Sequence, residues 1–321
     1  MKARVALLAL FASAMLAAPC AAQSWPAKPI RIMVGFSPGG AADLVGRLLQ
    51  NPLSAALGQP VVVENKTGAS GLIATTDVAR ATPDGYTIGV IVSTHASSPA
   101  LMPKMPFDPV RDVAAVALVG KIPLVIGVHP AVNAQTLSEF IALAKSTPGG
   151  LNYATAGAGL AHHFAGELFK RQASIELIHT PYRGAGPMMN DMVGGQVPMG
   201  VAAVPSIRTF VEAGRLRALA VTSARRAPNM ATIPTIAESG FPGFDISEWY
   251  GIVTTAGTPA AVIERLNKEI NTIMASPEMI KWVEQNGVVR DMTTAKEFGD
   301  FIRSEVDKLG KIARDANIKL E

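Results

Sequence analysis

The sequence predicts an α/β fold with mainly parallel sheets, divided between two domains. Apolar β-type runs alternate with helical patterns through the middle of the chain, which is typical of strands covered by helices. Hydrophobic residues make up 49% of the chain and charged residues 17%, as expected for strands buried on both faces. Two glycine-rich turns, each between an apolar strand and a helix, indicate two domains, each with one such turn.

The predicted strands are short apolar runs, and the helices between them end at glycine or proline. The strands are predicted at residues 30–36, 60–64, 86–92, 152–155, 176–179, 197–203 and 216–221. The helices are predicted at residues 42–57, 71–81, 137–146, 163–171, 187–193, 205–213, 258–274 and 295–316.

Two extended apolar stretches, residues 118–128 and 246–255, are the predicted crossovers between the domains, and Pro123 is expected to break the first. The chain leaves one domain by the first stretch and returns by the second. Domain 1 is therefore predicted to be discontinuous, with residues 24–122 plus 249–321, and domain 2 to cover residues 123–248.

Residues 1–22 have the pattern of a cleavable secretory signal peptide. Lys2 and Arg4 precede an apolar run at residues 5–16, and small residues at 20–22 precede Gln23. The run is too short to span a bilayer. We therefore expect a soluble, exported, periplasmic protein. The lone cysteine, Cys20, lies in this segment, so we expect no disulfide in the mature chain.

Composition and spacing argue against several classes of function. No Lys/Arg run with interleaved aromatics occurs, so we expect no nucleic-acid partner. Adjacent helical residues point about 100° apart, so His162 and His163 chelate a metal poorly, and we expect no metal and no cofactor. No Gly-x-Ser-x-Gly elbow occurs, which disfavours a hydrolase. We therefore predict that the protein is not an enzyme.

The two glycine turns, at residues 36–43 and 155–159, are the predicted ligand contacts. Glycine lets the backbone approach a ligand closely, and the first N–H groups of a helix have no intrahelical partner. The helix dipole adds a partial positive charge there, so the N-terminus favours an anion. Asp43 stands in the first helical turn, where a carboxylate stabilises the dipole and a structural role competes with direct contact.

Other candidates lie where predicted strands end. Ser93 and Thr94 follow the third strand and offer hydroxyls, and His163 either caps the second turn or packs in the core. The full set of predicted ligand-binding residues is Phe36, Ser37, Gly39, Gly40, Ala41, Ala42, Asp43, Ser93, Thr94, Thr155, Ala156, Gly157, Ala158, Gly159, His163 and Ala203.

Short motifs along nearly the whole mature chain give it a family likeness through their order and spacing. They include Phe36-Ser37-Pro38-Gly39-Gly40 with Asp43, Val63-Glu64-Asn65-Lys66, Pro83-Asp84-Gly85-Tyr86, Pro181-Tyr182-Arg183-Gly184 and Ala256-Gly257-Thr258-Pro259. The chain resembles the Bug family, the extracytoplasmic solute-binding receptors of tripartite tricarboxylate transporters.

The resemblance implies the Venus flytrap fold of a type II-like periplasmic binding protein, in which a hinge joins two domains. It implies a receptor that captures a small carboxylate between its lobes and delivers it to the membrane permease subunits of a tripartite tricarboxylate transporter. A receptor that presents its ligand to a two-component sensor kinase stays open as an alternative. An α/β enzyme acting on a carboxylate is the competing class. A monomer is expected.

The chain departs from this resemblance in its second domain. Leu160 and Ala203 stand where relatives often carry polar groups. A polar ligand group buried against such side chains would lose its hydrogen-bond partners. We therefore expect an amphipathic ligand, with one carboxylate toward Gly39 and Gly40 and an aromatic or aliphatic body toward domain 2.

Overall fold

The computed structural model describes residues 25–102 and 104–318, and it confirms the α/β class. Nine strands form one continuous, mixed sheet within these residues. They are β1 (Ile30–Val34), β2 (Val61–Asn65), β3 (Thr87–Val92), β4 (Val113–Val128), β5 (Leu151–Thr155), β6 (Leu177–Pro181), β7 (Met199–Ala203), β8 (Arg217–Val221) and β9 (Ser247–Thr255).

Ten α-helices cover the sheet in the described part of the chain. They are α1 (Ala41–Leu57), α2 (Leu72–Ala79), α3 (Thr94–Leu101), α4 (Leu137–Ser146), α5 (Ala161–Ala173), α6 (Ala185–Val193), α7 (Val204–Glu212), α8 (Ala260–Met274), α9 (Pro277–Gln285) and α10 (Ala295–Asp315). Among these residues no helix is both long enough and apolar enough to cross a membrane. The predicted signal peptide lies outside the described residues.

The strands follow the order β2-β1-β3-β9-β4-β7-β5-β6, with β8 pairing beside β4. The pairings of β1 with β2 and β3, and of β5 with β6 and β7, are parallel as predicted. Every pairing of β4 or β9 is antiparallel, so the sheet is mixed rather than mainly parallel. The reason is that these two strands carry the chain between the first half, built on β1–β3, and the second half, built on β5–β8, against the direction of their neighbours.

Strand β4 changes partner in its middle, where the sequence predicted a break. Pro123 is the last residue of β4 that pairs with β9, opposite Ser247, and Leu124 is the first that pairs with β7, opposite Ala203. The strand continues through Pro123. Proline has no N–H to donate to a neighbouring strand, and it is tolerated here because β4 exchanges β9 for β7 as its partner at this position. The division into domains at 122/123 and 248/249 stays a prediction, and this partner change lies beside it.

Three clusters of buried apolar side chains hold the helices on the sheet. One lies under α1 and α8 in the first half, and another lies under α6 and α7 in the second half. The third extends through both halves and contains Tyr153, Trp249 and Phe298. Met188, Met189, Met192 and Met199 are buried in these clusters, which confirms their interpretation as core residues.

Two helices were missed by the sequence analysis. Helix α3 consists of small and polar residues with Pro99 inside it, and its first five residues are all buried, so it has no amphipathic pattern. Helix α9 begins at the Ser276 cap, whose hydroxyl accepts a hydrogen bond from the Met279 N–H. The first of these omissions matters for function, because α3 lies between the two glycine turns.

Candidate ligand-binding site

The first glycine turn, between β1 and α1, is held in place by a buried carboxylate. Gly39 has φ +80°, and its N–H donates to Asp43 Oδ2 at 2.8 Å. Asp43 is 1% exposed and also accepts hydrogen bonds from Arg47 Nε and Asn65 Nδ2, both at 2.8 Å. The Arg47 hydrogen bond is the main cause that lowers the pKa of Asp43 from 3.8 to about 2. Asp43 therefore holds the turn as an ion, and its carboxylate faces protein donors.

The N–H groups left free in this turn differ from those expected at its glycines. The Gly39 N–H is bonded to Asp43, and the Gly40 N–H donates to Ser37 O at 3.1 Å. Gly40 caps α1 with extended backbone and no side-chain hydrogen bond. Within the described residues, the N–H groups of Ala41, Ala42 and Asp43 have no acceptor. An anion at this turn would therefore sit on the first three residues of α1 rather than on the glycines.

The second turn, between β5 and α5, repeats this construction with different side chains. Gly159 has φ +75°, and its N–H donates to His163 Nδ1 at 3.2 Å, four residues on, as Gly39 does to Asp43. Leu160 takes the place of Gly40 as the cap, again with extended backbone and no side-chain hydrogen bond. The His163 N–H bonds to Leu160 O, whereas the N–H groups of Ala161 and His162, at the start of α5, have no acceptor in the described part of the chain.

A pair of stacked imidazoles supports the second turn. His163 and His179 lie with ring centroids 3.8 Å apart and planes within 11°. His179 Nε2 is 2.7 Å from the hydroxyl oxygen of Thr155, and the Thr155 hydroxyl donates to Gly157 O at 3.2 Å. Since Gly159 donates to Nδ1 of His163, that nitrogen carries no proton. Burial lowers the pKa of His163 to about 4, and burial together with the neighbouring imidazole lowers that of His179 to about 3.

Acidification should therefore destabilise the protein below neutral pH. Both pKa values lie below the ordinary 6.5, so the unfolded chain binds protons first, and stability falls as pH drops from about 6.5 toward 4. We expect the melting temperature to fall between pH 7 and pH 5. The fall should be smaller in His179→Phe, which keeps a stacking ring and removes one titrating group. Equal falls in both proteins, measured by calorimetry, would contradict this assignment.

Helix α3 connects the two turns. The Ser97 hydroxyl donates to Gly159 O at 3.0 Å, and the Thr94 hydroxyl donates to Ser70 O at 2.9 Å. Next to Ser70, Gly71 packs under the Phe36 ring, where an added Cβ would lie 2.9 Å from Phe36 Cε2. The N-terminal end of α3 therefore lies between the first turn and the second. Ser93, which precedes α3, is 2% exposed, and its Oγ has no partner in the described structure.

The predicted site residues fall into two groups by their surroundings. The side chains of Asp43, Thr94, Thr155 and His163 are engaged in bonds that shape the turns. The remaining predicted residues line or flank the turns, apart from Ala203, which ends β7 and packs against the core of the first half. Whether any of them contacts a ligand stays a prediction.

Four residues that shape the turns were missed by sequence reasoning. They are Arg47, Asn65, Ser97 and His179. Asn65 stands in one of the motifs that carry the family likeness, so a signal for it was present. Arg47 contacts Asp43 one helical turn earlier, a local i,i+4 pair, whereas Ser97 and His179 act through contacts distant in sequence. In the described part of the chain, no group of three or more His, Cys, Asp or Glu side chains is placed to hold a metal ion.

Comparison with known proteins places this geometry in a family. Residues 45–318 match TctC, the "Tripartite tricarboxylate transporter family receptor". Protein BugT of Bordetella pertussis is 33% identical over 323 residues, covering 99% of this chain and 98% of BugT.

Two solved structures are also similar. The structure of Rpa4515 from R. palustris with adipate has a TM-score of 0.80 and 30% identity, covering 92% of this chain and 100% of that one. MatC (Rpa3494) from Rhodopseudomonas palustris with bound malate has a TM-score of 0.75 and 27% identity, covering 90% of this chain and 99% of that one. The chain therefore belongs to the TctC family of tripartite tricarboxylate transporter receptors, as its resemblance to the Bug receptors predicted.

Proposed function

We propose that this protein is an exported, periplasmic solute-binding receptor that captures a small carboxylate between its two halves. The observation that carries the proposal is the pair of glycine turns of the same construction, one in each half, held near each other by α3. Each turn presents unpaired N–H groups at the start of a helix, which is a ready site for a carboxylate.

The charge at the two turns supports the same proposal. Arg47 neutralises Asp43, so the positive end of α1 is not cancelled by an unpaired carboxylate. At the start of α5, neutral His163 accepts the N–H of Gly159, as Asp43 accepts that of Gly39, and it adds no negative charge. A carboxylate would be held by main-chain N–H dipoles and not by a charged side chain. Such binding suits a receptor that must also release its ligand. The similar proteins with adipate and with malate support a carboxylate as the ligand.

The predicted ligand-binding residues form the proposed site. Within it we give the main role to Ala41, Ala42 and Ser93, whose N–H or hydroxyl groups have no partner in the described structure. Capture would close residues 24–122 plus 249–321 onto residues 123–248, with β4 and β9 as the hinge. The proposed partners are the membrane permease subunits of a tripartite tricarboxylate transporter, after export directed by residues 1–22. The proposal includes no catalytic step, and purified protein should leave adipate and malate unchanged.

Ala41→Pro tests the first turn without disturbing the fold. Proline is well tolerated at the first position of a helix, and Gly40 before it has φ −73° and ψ 162°, which a following proline requires. The substitution removes the Ala41 N–H. We expect affinity for adipate or malate, measured by calorimetry, to fall at least about tenfold, which corresponds to about 1.4 kcal/mol.

Ala295→Pro is the matched control. It also occupies the first position of a helix, and its preceding residue, Thr294, has φ −65° and ψ 160°. This helix start lies away from both glycine turns in sequence and closes with its own capping box. The control should bind like the wild type. Unchanged affinity in Ala41→Pro, or equal losses in both variants, would refute the proposed role of the first turn.

A further inference from the structure

An apolar groove of about 180 Å³ runs beside the first glycine turn. Its wall includes Ala41 and Leu44 from α1, Ile122 and Tyr250 from the two crossing strands, Trp282 from α9 and Pro205 from α7. None of the residues that line it carries a charge. Pro205 belongs to the second half of the molecule and the others to the first, so the groove lies where the two halves meet.

The groove adjoins the proposed carboxylate site at Ala41. Ala41 lines the groove and is also the first residue of α1, whose N–H is one of the unpaired donors. Across the groove, Pro205 comes two residues after Ala203, at the end of β7. A ligand whose carboxylate binds the start of α1 therefore has apolar wall within reach of its remaining atoms.

Some of the apolar side chains that line the groove are exposed to solvent. Leu44 is 50% exposed, although the face of α1 made by Val45, Leu49 and Leu53 is buried. A single exposed leucine needs no explanation, but Leu44 lies in one groove with partly buried Trp282 and exposed Pro205. An apolar cavity of about 150 Å³ is large enough to bind benzene.

We infer that this groove is the subsite for the hydrocarbon body of the ligand, so the receptor takes carboxylates that carry an aliphatic chain or an aromatic ring. This inference rests on the proposed function, because the carboxylate is placed on the first turn. A second carboxylate in the groove would lose its hydration without meeting a charged partner. An apolar body there gains affinity with every methylene that it buries.

The test is a chain-length series of butyrate, hexanoate and octanoate, measured by calorimetry. Wild-type affinity should rise about fourfold with each added methylene. Leu44→Gln should flatten this dependence, with the largest loss of affinity for octanoate and the smallest for butyrate. Ile178→Gln is the matched control, because Ile178 is 52% exposed but lies on β6, outside the groove. Octanoate should also change the tryptophan fluorescence, and Trp282→Phe should remove that change.

Failure of the groove and failure of the receptor proposal give different results. If malate or adipate binds in an Ala41-dependent way while the series shows no chain-length dependence, the receptor stands and the groove assignment is overturned. A dependence that is the same in wild type and Leu44→Gln also overturns it. If no carboxylate of either kind binds, the proposed function itself is wrong, and the groove assignment falls with it.

Discussion

Replacing Asp43 with alanine should lower the free energy of unfolding by about 3 kcal/mol. The carboxylate accepts hydrogen bonds from the Gly39 N–H, Arg47 and Asn65 in a buried position, and hydrogen bonds to a charged group contribute about 1.5–3 kcal/mol. The variant also leaves the Asn65 amide and the Gly39 N–H without their acceptor. Urea unfolding followed by circular dichroism measures the loss.

The pH dependence of this loss identifies the ionised carboxylate as its cause. The pKa of Asp43 is lowered from 3.8 to about 2, so its contribution is complete above about pH 4 and disappears as pH falls through about 2. The difference between wild type and Asp43→Ala should therefore be constant near neutral pH and shrink in strong acid. A difference that does not change with pH would show that packing, and not charge, stabilises the turn.

Asp77→Ala is the control for the loss of a carboxylate as such. Asp77 forms an ion pair with Lys66 on the surface, and both side chains are substantially exposed. Exposed pairs contribute less than about 1 kcal/mol, because water and salt screen them. A loss as large as that of Asp43→Ala would mean that the buried hydrogen bonds at the first turn are not special.

Gly35→Ala should destabilise the protein by about 3 kcal/mol or more and weaken carboxylate binding. A Cβ on Gly35 would lie 2.3 Å from Gly71 Cα and 2.6 Å from Gly71 O. Overpacking typically costs about 1–3 kcal/mol and occasionally more. Because the overlapping atoms belong to the backbone, no side-chain rotation relieves the overlap, and we expect a value at the upper end of that range. The contact fixes Phe36 and the first turn against the segment that precedes α2, where Ser70 O accepts a hydrogen bond from Thr94 of α3. Denaturant unfolding and calorimetric titration with adipate measure the two effects.

Gly299→Ala is the matched control for an added methyl group. Gly299 lies inside α10, and a Cβ there would be 3.6 Å from Ala115 Cβ, which is an ordinary contact. Alanine is the better helix former by about 1 kcal/mol, so this variant should be as stable as the wild type or more so. Gly35→Ala with wild-type stability would show that the backbones at Gly35 and Gly71 separate at little cost.

Local signals in the sequence predicted much of the fold. Helix α4 has the predicted bounds, Leu137–Ser146, because the Thr136 side chain caps its first turn and an amphipathic pattern follows. The first helix ends at Gly58 as predicted, since the residue there adopts φ +67°. By contrast, α3 has no local signal. Its five consecutive buried residues of small or polar type are surrounded by β3, the turn at residues 69–71 and α10, and these contacts make the helix.

The candidate site divides in the same way. Glycine and helix-start residues marked both turns, because a positive φ and unpaired N–H groups arise from short stretches of chain. The sequence did not reveal which N–H groups are free, since this depends on Asp43 and His163 turning back onto Gly39 and Gly159. Nor did it reveal that Arg47 and Asn65 share one carboxylate, a contact that joins α1 to the end of β2.

The sequence by itself determined the α/β class, the two glycine turns and the receptor family, because strand and helix patterns, turns and motifs depend on residues that are close together in the sequence. Only the tertiary structure decided that β4 and β9 run antiparallel to their neighbours, that α3 connects the turns through Ser97, and that Leu44 and Pro205 share a groove. The physical reason is that strand partners and side-chain contacts between distant segments depend on which surfaces the assembled sheet brings together, and no local pattern encodes that choice.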